Sequence, residues 1–307
     1  MTMIGAVDIG GTKVAVGLVD RQGRIVAQEA APTAALLRYR PAVAALATML
    51  QGLLSRVGCG LEGVGIGLTG RLDGASGRVG RNDVLPDWQG QDLAADLGQA
   101  VGAPVAIEND ADAAALGEAA WGAGRGMARF IYVTVSTGIG GGIVLEGRLY
   151  RGIEGSHPEM GHHVIDPQGP ACYCGARGCW ERLASGTALA EWAQQQLGSR
   201  ADLGQLDARR VCALAVEGLP EAQRAVEREG HYLGLGLANL MMIFAPDRIA
   251  LGGGVMKSWP LFEEAARRVI AQNCGLVPYQ RISIVPAQLG AHTGLIGAAQ
   301  VWLHACQ

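Results

Sequence analysis

Short apolar runs separated by turn residues characterise the first third of the chain. Two of these runs, Gly5–Ile9 and Val14–Val19, are followed by a third over residues 24–29, and Asp20–Gly23 carries a hairpin signal. Apolar positions with a helical period follow from about Pro41 to Val57. The pattern predicts a β-rich start covered by a helix, which is typical of an α/β layer.

The pattern of the start recurs in the second half of the chain. Between the start of the chain and this recurrence, the sequence predicts two strands, Gly63–Leu68 and Pro104–Glu108. It also predicts two helices, near Asp92–Val101 and Ala111–Gly122. Two further strands, Phe130–Val135 and Gly141–Leu145, then flank a glycine-rich turn as the first two strands do. We interpret this repetition as an internal duplication that produces two similar α/β domains.

The remaining pattern is mainly helical and suggests where the domains divide. Past Ser185 helices dominate, with a strand at Arg248–Leu251 and a final helix near Thr293–His304. We expect an N-terminal domain over residues 1–117, with residues 293–307 packing back on it. Residues 118–292 form the expected second domain.

Composition narrows the class of protein. The chain has 307 residues, of which 49% are hydrophobic, 5% are aromatic and 47 are glycines. We therefore expect sizeable cores built from Ala, Val, Leu and Ile and not from aromatic side chains. A net charge of −3 without a Lys/Arg-rich block gives no reason to expect a nucleic acid partner. Neither a signal peptide nor an apolar run of about 20 residues is present. We expect a cytoplasmic protein that does not bind membranes.

The turn after the first strand has the composition of a phosphate-binding loop. It reads Asp8-Ile9-Gly10-Gly11-Thr12-Lys13, and its glycines allow backbone N–H groups to approach anionic oxygens closely. Thr12 adds a hydroxyl donor, and the carboxylate of Asp8 is suited to Mg²⁺. A purely structural glycine hairpin is the alternative.

Two further glycine turns strengthen the phosphate hypothesis. Ser136–Gly142, with Thr137 and Gly138, occupies in the second half the place that the first turn occupies in the first. A nucleoside triphosphate held by both turns explains the pair, although neither is a Walker or Rossmann motif. The third turn, with Gly253 and Gly254, follows a strand and is assigned to the adenosine or α-phosphate side. Tight packing is its alternative.

Three consecutive polar residues, Glu108-Asn109-Asp110, precede an alanine-rich helix. Asn109 or Asp110 is expected as an ordinary N-cap, but three consecutive polar residues exceed what one cap needs. In phosphoryl transfer an Asp can accept the proton of the acceptor hydroxyl, and we assign this role to Asp110 with Asn109 orienting the sugar. The positive end of the helix is expected to keep Asp110 ionised.

A cluster of cysteines and one histidine predicts a metal site. His162, Cys172, Cys174 and Cys179 have the spacing H-x9-C-x-C-x4-C, and three thiolates with one imidazole satisfy the tetrahedral geometry of structural Zn²⁺. His163 is an alternative ligand. His157 has no evident partner in the sequence and is interpreted as a loop residue.

Two carboxylates flank the predicted zinc loop. Glu159 and Glu181 can each accept hydrogen bonds from sugar hydroxyls, or each can be a solvated loop acid.

These motifs together resemble the ROK family of sugar kinases and repressors. The matching segments are DIGGTK (Asp8–Lys13), ENDADAAALGE (Glu108–Glu118), TVSTGIGGGIV (Thr134–Val144), HPEMGHHVIDPQGPACYCGARGCWE (His157–Glu181) and LGGGV (Leu251–Val255). The resemblance implies two actin-like, ribonuclease H-like ATPase domains around an interdomain cleft. It also implies that Asp110 is the catalytic base, and that family members assemble as homodimers or homotetramers.

The resemblance further implies which residues contact the sugar. They are Asn109, Glu159, His162 and Glu181, with His162 also a zinc ligand. Two more candidates, Gly70 and Asn82, lie where this chain departs from the family's glucokinases. Thr69-Gly70 replaces their Pro-Gly and looks more like N-acetylmannosamine kinases, and the stretch from Asn82 to Trp88 replaces their Asn-Leu-Pro-Gly-Trp.

The expected activity is ATP- and Mg²⁺-dependent phosphorylation of a hexose at its 6-hydroxyl. Glucose is the leading candidate, followed by N-acetylmannosamine and then fructose, because His157–His162 resembles the fructokinase branch. The competing class is a sugar-responsive transcriptional repressor. It is disfavoured because those proteins carry a helix-turn-helix domain before the turn that corresponds to Asp8–Lys13.

Overall fold

The computed structural model describes residues 2–74, 76–198, 204 and 206–306, and its strands and helices follow the apolar pattern. The strands are β1 Thr2–Ile9, β2 Lys13–Val19, β3 Ile25–Pro32, β4 Gly60–Leu68, β5 Val105–Asn109, β6 Arg129–Val135, β7 Ile139–Leu145, β8 Arg148–Leu149, β9 Arg248–Gly252 and β10 Ser283–Pro286. The α-helices are α1 Tyr39–Val57, α2 Leu93–Val101, α3 Asp110–Trp121, α4 Trp180–Ala184, α5 Gly186–Leu197, α6 Ala208–Val216, α7 Pro220–Phe244, α8 Trp259–Asn273 and α9 Thr293–Ala305.

Two compact units make up the described chain. The first comprises residues 1–128, 142–158 and 287–307, and the second comprises residues 129–141 and 159–286. Each unit therefore draws on segments that are distant in sequence.

The strands form two sheets of the same topology. The first has the order β3-β2-β1-β4-β5, and the second has the order β10-β9-β6-β7-β8. In the first sheet β1, β2 and β3 pair antiparallel, whereas β4 and β5 add in parallel. In the second, β7 and β8 pair antiparallel, and β9 and β10 add in parallel to β6. This agreement is what the predicted internal duplication requires.

The first sheet is buried on both faces. One face packs with α1, through residues such as Leu46, Leu50 and Leu53, in a core that also includes Trp88. The other face packs with α9 in a second cluster. Successive residues of a strand point to opposite faces, so the apolar runs of β1 and β2 are buried on both sides.

Glycines allow α9 to approach the first sheet closely. A side chain at Gly65 of β4 would overlap the backbone carbonyl of Ala298 in α9, and one at Gly63 would overlap the ring of Trp302. Where α9 crosses α3, Gly117 and Gly297 face each other, and a Cβ on Gly117 would lie 2.9 Å from the Gly297 backbone. The glycines hold α9 and the start of α3 in a fixed relation to the strand ends.

Small residues also set the helix packing of the second unit. Gly230 and Gly234 of α7 face Ala265 and Ala266 of α8, at distances that leave no room for a side chain. Trp180 packs against Gly236 of the same helix α7, is fully buried and donates its indole N–H to the carbonyl of Tyr232 at 3.0 Å. In the described part of the chain, no helix combines the length and apolar character that crossing a bilayer requires.

Candidate active site

The first glycine turn is held from inside by backbone and hydroxyl contacts. Between β1 and β2, the N–H of Gly10 donates to the carbonyl of Lys13 at 3.0 Å, and the hydroxyl of Thr33 donates to the Gly10 carbonyl at 2.7 Å. Gly11, Thr12 and Lys13 are exposed. The turn thus presents backbone, a hydroxyl and an ammonium group outward, as an anionic ligand requires.

Asp8 lies at the end of β1 with its carboxyl group largely buried. Burial, reinforced by the nearby charge of Asp110 and opposed by Lys13, raises the pKa of Asp8 from 3.8 to about 6. A divalent cation at this carboxylate would offset the repulsion between the two acids. The environment therefore suits the predicted role of Asp8 at Mg²⁺.

Asn109 and Asp110 join β5 to α3. The side-chain oxygen of Asn109 caps the helix by accepting from the N–H groups of Ala111 at 2.9 Å and Asp112 at 3.4 Å. Its amide nitrogen donates to the carbonyl of Gly70 at 3.0 Å. Asn109 is thus the N-cap, which the sequence left open between Asn109 and Asp110, and its amide also ties the helix start to the loop after β4.

Asp110 occupies the first position of α3, where burial affects the pKa of its carboxyl group. Burial raises the pKa of Asp110 and outweighs the N–H of Ala111, the hydroxyl of Thr69 and the charge of His157, which lower it. Burial opposes ionisation, so the expectation that the helix N-terminus keeps Asp110 ionised stays a prediction. A raised pKa suits a general base, because the pKa of the carboxyl group then lies closer to the pH at which the enzyme works. The contact with Thr69 was missed from the sequence.

The two other candidates of the first unit shape the loop after β4. Gly70 has φ +93°, and a Cβ there would meet the amide of Asn82 at 2.7 Å. Asn82 is buried, donates to the carbonyl of Thr69 at 2.7 Å and accepts from the N–H groups of Val84 and Leu85. Its amide is engaged within the loop, so direct contact of Asn82 with a sugar stays a prediction.

Next to Asp110 lies an ion-pair cluster, and the sequence analysis did not identify this cluster. Arg151 pairs with Glu108 and Asp112, and Asp112 also contacts the Nδ1 of His157 at 2.6 Å. The interpretation of His157 as a residue without an evident partner is corrected by this contact. Its partner lies 45 positions away in the sequence, which is why spacing gave no signal.

The glycine turns of the second unit lie side by side. The hydroxyl of Ser136 accepts from the N–H of Gly254 at 3.2 Å, and the hydroxyl of Thr187 donates to the carbonyl of Thr137 at 2.8 Å. Gly253 has φ +90°, and a side chain there would overlap the backbone of Val135. Thr137 and Gly254, predicted as nucleotide-binding residues, are thus brought together within one unit.

A cavity of about 740 Å³ opens beside these turns. Ser136, Thr137 and Gly254 form one wall. Residues of α5 and α6 and of the segment before α8 form the rest, among them Glu191, Gln194, Asp207, Cys212 and Lys257. Its volume lies in the range of ligand pockets, and its lining combines polar and charged side chains with small apolar ones, which suits a nucleoside.

Glu181, a predicted sugar contact, lies against the phosphate turn of its own unit. Its Oε2 accepts from the N–H of Ile139 at 2.8 Å, and Gly138 leaves the space that the carboxylate occupies. Burial and the hydrogen bond with Glu181 raise the pKa of Tyr173. Tyr173 also contacts the Nε2 of His162 at 3.0 Å, so a chain of polar contacts joins Glu181 to the histidine. Glu159 is exposed.

His162, Cys172, Cys174 and Cys179 converge as the sequence predicts, with all four ligand atoms within 4.8 Å of one another. The Nδ1 of His162 lies 3.5 Å from the sulfur of Cys172, and Cys174 and Cys179 are 3.5 Å apart. A tetrahedral ion with Zn–S bonds of about 2.3 Å needs ligand separations of roughly 3.7 Å, so the donor set fits zinc. His163 instead directs its Nδ1 at the carbonyl of Met160.

Comparison with known proteins identifies the family. A model of the ROK family matches residues 4–305. A glucokinase of Streptomyces coelicolor is 33% identical over 308 residues, covering 96% of each chain.

Solved structures give the same result. A ROK hexokinase from Thermus thermophilus is 37% identical, with a TM-score of 0.84 over 99% of both chains. A ROK glucokinase from Streptomyces griseus, solved with glucose and AMPPNP, is 34% identical, with a TM-score of 0.81 over 97% of this chain and 98% of that one. These matches confirm the predicted α/β fold class of the actin-like ATPases. The chain belongs to the ROK family.

Proposed function

We propose that this protein is an ATP-dependent sugar kinase that transfers the γ-phosphoryl group of ATP to the 6-hydroxyl of glucose. The relatives named glucokinase and the ROK glucokinase solved with glucose and AMPPNP support this activity. The observation that carries it is the buried acid pair, Asp110 with raised pKa at the start of α3 and Asp8 beside a glycine turn.

Asp110 is the proposed catalytic base. Its carboxylate accepts the proton of the sugar hydroxyl as that oxygen forms a bond to the γ-phosphorus. The bond from the γ-phosphorus to the β,γ-bridging oxygen breaks, and ADP leaves with that oxygen. Asn109 fixes the helix start and the loop at Gly70, and the N–H of Ala111 donates to Oδ1 of Asp110 at 2.9 Å, so the backbone and the carboxylate are both held.

The glycine turns are the proposed phosphate sites. Gly10, Gly11, Thr12 and Lys13 serve in the first unit, and Thr137 and Gly138 in the second. The 740 Å³ cavity next to Gly253 and Gly254 is the proposed place of the adenosine. Backbone N–H groups in such turns stabilise phosphate oxygens and make no contact with the adenine ring.

Magnesium is the proposed cation at Asp8. When bound, Mg²⁺ neutralises phosphate charge during transfer. The buried carboxylate with its raised pKa, close to the charge of Asp110, is the feature of this chain that such a cation would stabilise.

Zinc is proposed as a structural ion held by His162, Cys172, Cys174 and Cys179. Four protein ligands leave no position for a reacting water, so the ion would order the loop and perform no chemistry. Burial raises the pKa of the Cys179 thiol to about 12, and a bound cation would favour its deprotonation. The loop would in turn place Glu159, His162 and Glu181 beside the sugar.

An assay of ADP release across several sugars tests the proposal. Glucose, mannose, fructose, allose, N-acetylglucosamine and N-acetylmannosamine are offered with ATP and Mg²⁺, and glucose is expected to give the highest kcat/KM. A preference for N-acetylmannosamine or fructose would keep the kinase and change the sugar. If none of these sugars caused ADP release, the proposed kinase activity would be overturned and the repressor class would be favoured.

Assembly and compartment belong to the same proposal. By resemblance to the family we propose a homodimer or homotetramer in the cytoplasm. Light scattering coupled to size exclusion checks the first, and a monomer at micromolar concentration would contradict it.

A further inference from the structure

One guanidinium group joins both sides of the segment that carries Asp110. The Nη2 of Arg151 lies 2.5 Å from Oε2 of Glu108, and its Nη1 lies 2.6 Å from Oδ2 of Asp112. Glu108 belongs to the end of β5, and Asp112 to the first turn of α3. Both acids are two positions from Asp110, one on either side, so Arg151 spans the junction that the proposed base occupies.

The acceptors of this guanidinium are buried to different degrees. The Asp112 side chain is 0% exposed, whereas those of Glu108 and Arg151 are 28% and 23% exposed. Burial, reinforced by the charge of Asp112, raises the pKa of Glu108, whereas Arg151 lowers it. Without the guanidinium, the helix turn and the strand end would lose the ion pairs that join them and keep two unpaired acids.

One further contact holds Asp112 in place. The Nδ1 of His157 lies 2.6 Å from the same Oδ2 that Arg151 contacts. The other oxygen, Oδ1, is buried without a hydrogen-bond partner among the described residues, in space that a Cβ on Gly142 of β7 would enter. Asp112 is therefore held through Oδ2, by Arg151 and His157 together.

We propose that Arg151 is a positioning residue for the phosphoryl transfer, holding Glu108 and Asp112 so that the carboxylate between them stays aligned with the sugar hydroxyl. This inference rests on the proposed function, because it assumes that Asp110 is the base. It assigns to Arg151 no contact with the sugar or ATP. A loss of Arg151 should therefore lower kcat and leave substrate affinity nearly unchanged.

The test compares Arg151→Ala, Arg151→Lys and the control Arg148→Ala. Arg148 is an exposed arginine three positions away, in β8. For Arg151→Ala, we expect kcat to fall about 10²-fold, the scale for a misplaced reacting group. KM for glucose and for ATP should change less than about threefold, because the lost interaction favours the transition state.

Two rescue measurements separate positioning from general stability. Millimolar guanidinium, below denaturing concentrations, should restore part of the kcat of Arg151→Ala but leave Arg148→Ala unchanged. Lysine reaches only one carboxylate at a time, so Arg151→Lys should have an intermediate kcat. A kcat within twofold of the original for Arg151→Ala would overturn the inference, as would a lower kcat that guanidinium does not raise.

If Arg151→Ala does not fold, Arg151→Lys and Asp112→Asn take its place. Each must lower kcat more than it raises either KM, and the opposite split overturns the inference. Failure of the proposed function is distinguishable, since the unaltered protein would then phosphorylate no sugar. In that event crystal structures decide: Asp110 losing its contact with Thr69 in Arg151→Lys supports the positioning role, and an unmoved carboxylate overturns it.

Discussion

The carboxyl group of Asp8 lies in the space that a side chain on Gly294 would fill. Gly294 is the second residue of α9, so the end of β1 meets the first turn of a helix from the other end of the chain. This contact buries Asp8 next to helix backbone, and burial is the main reason for the raised pKa of Asp8.

Because of the raised pKa of Asp8, we expect the free energy of unfolding to depend on pH. Its pKa is about 6 in the folded protein and 3.8 ordinarily, so without Mg²⁺ the folded state loses stability as pH rises through that window. Replacing Asp8 with Asn should raise the free energy of unfolding at pH 8 by up to about 3 kcal/mol. The gain should disappear below pH 4. Urea unfolding at several pH values measures it.

The matched control for Asp8 is Asp83→Asn. The Asp83 side chain is 72% exposed, so its replacement should change stability little at any pH. An Asp8→Asn variant that is less stable than the unaltered protein at pH 8 would contradict the burial argument.

The zinc site predicts a metal content. The purified protein should contain about one Zn²⁺ per chain, and Cys174→Ser should lose most of it because one of four ligands is missing. Mass spectrometry of the metal measures both. Cys306→Ser removes another exposed cysteine, outside the cluster, and should keep its zinc. Metal-free protein that is folded and active would defeat the structural role.

We expect one added methyl group at Gly65 to cause a large loss of folding stability. In Gly65→Ala the new Cβ overlaps the carbonyl of Ala298, so α9 must move and stability should fall by about 3 kcal/mol or more. Gly52 in the middle of α1 has open space around it, and Gly52→Ala should stabilise by about 0.5–1 kcal/mol. Thermal unfolding compares the two. Similar effects in both variants would remove the argument for close approach.

Glu159 predicts a change in sugar recognition. Glu159→Gln keeps the shape but loses charge assistance, so kcat/KM for glucose should fall about 10-fold or more while KM for ATP stays the same. Glu154→Gln alters another exposed glutamate of this region and should be neutral. Equal kinetics for Glu159→Gln and the unaltered protein would mean that Glu159 does not contact the sugar.

Local pattern predicted most of the fold, because strand and helix periods and glycine turns are properties of neighbouring residues. The glycine turns, Asn109 as a cap and the convergence of His162 with three cysteines were all accessible in this way. The four-residue strand β10 was missed, since it offers too short a run to show a period.

Contacts across long separations were not accessible. The partners of Arg151 and His157 lie 39 to 45 positions away, and Glu181 meets Ile139 across 42 positions. The direction of the pKa shift of Asp110 was not accessible for the same reason: a helix start is visible in the sequence, whereas the burial that raises the pKa depends on tertiary packing.

Steady-state kinetics of Asp110→Asn test whether Asp110 accepts the proton of the sugar hydroxyl. Asp92→Asn, at another helix cap of the same unit, serves as the control. We expect kcat for glucose phosphorylation to be lower by about 10²–10⁴-fold in Asp110→Asn, with glucose affinity nearly unchanged and Asp92→Asn active. A kcat for Asp110→Asn close to that of the unaltered protein would contradict this role.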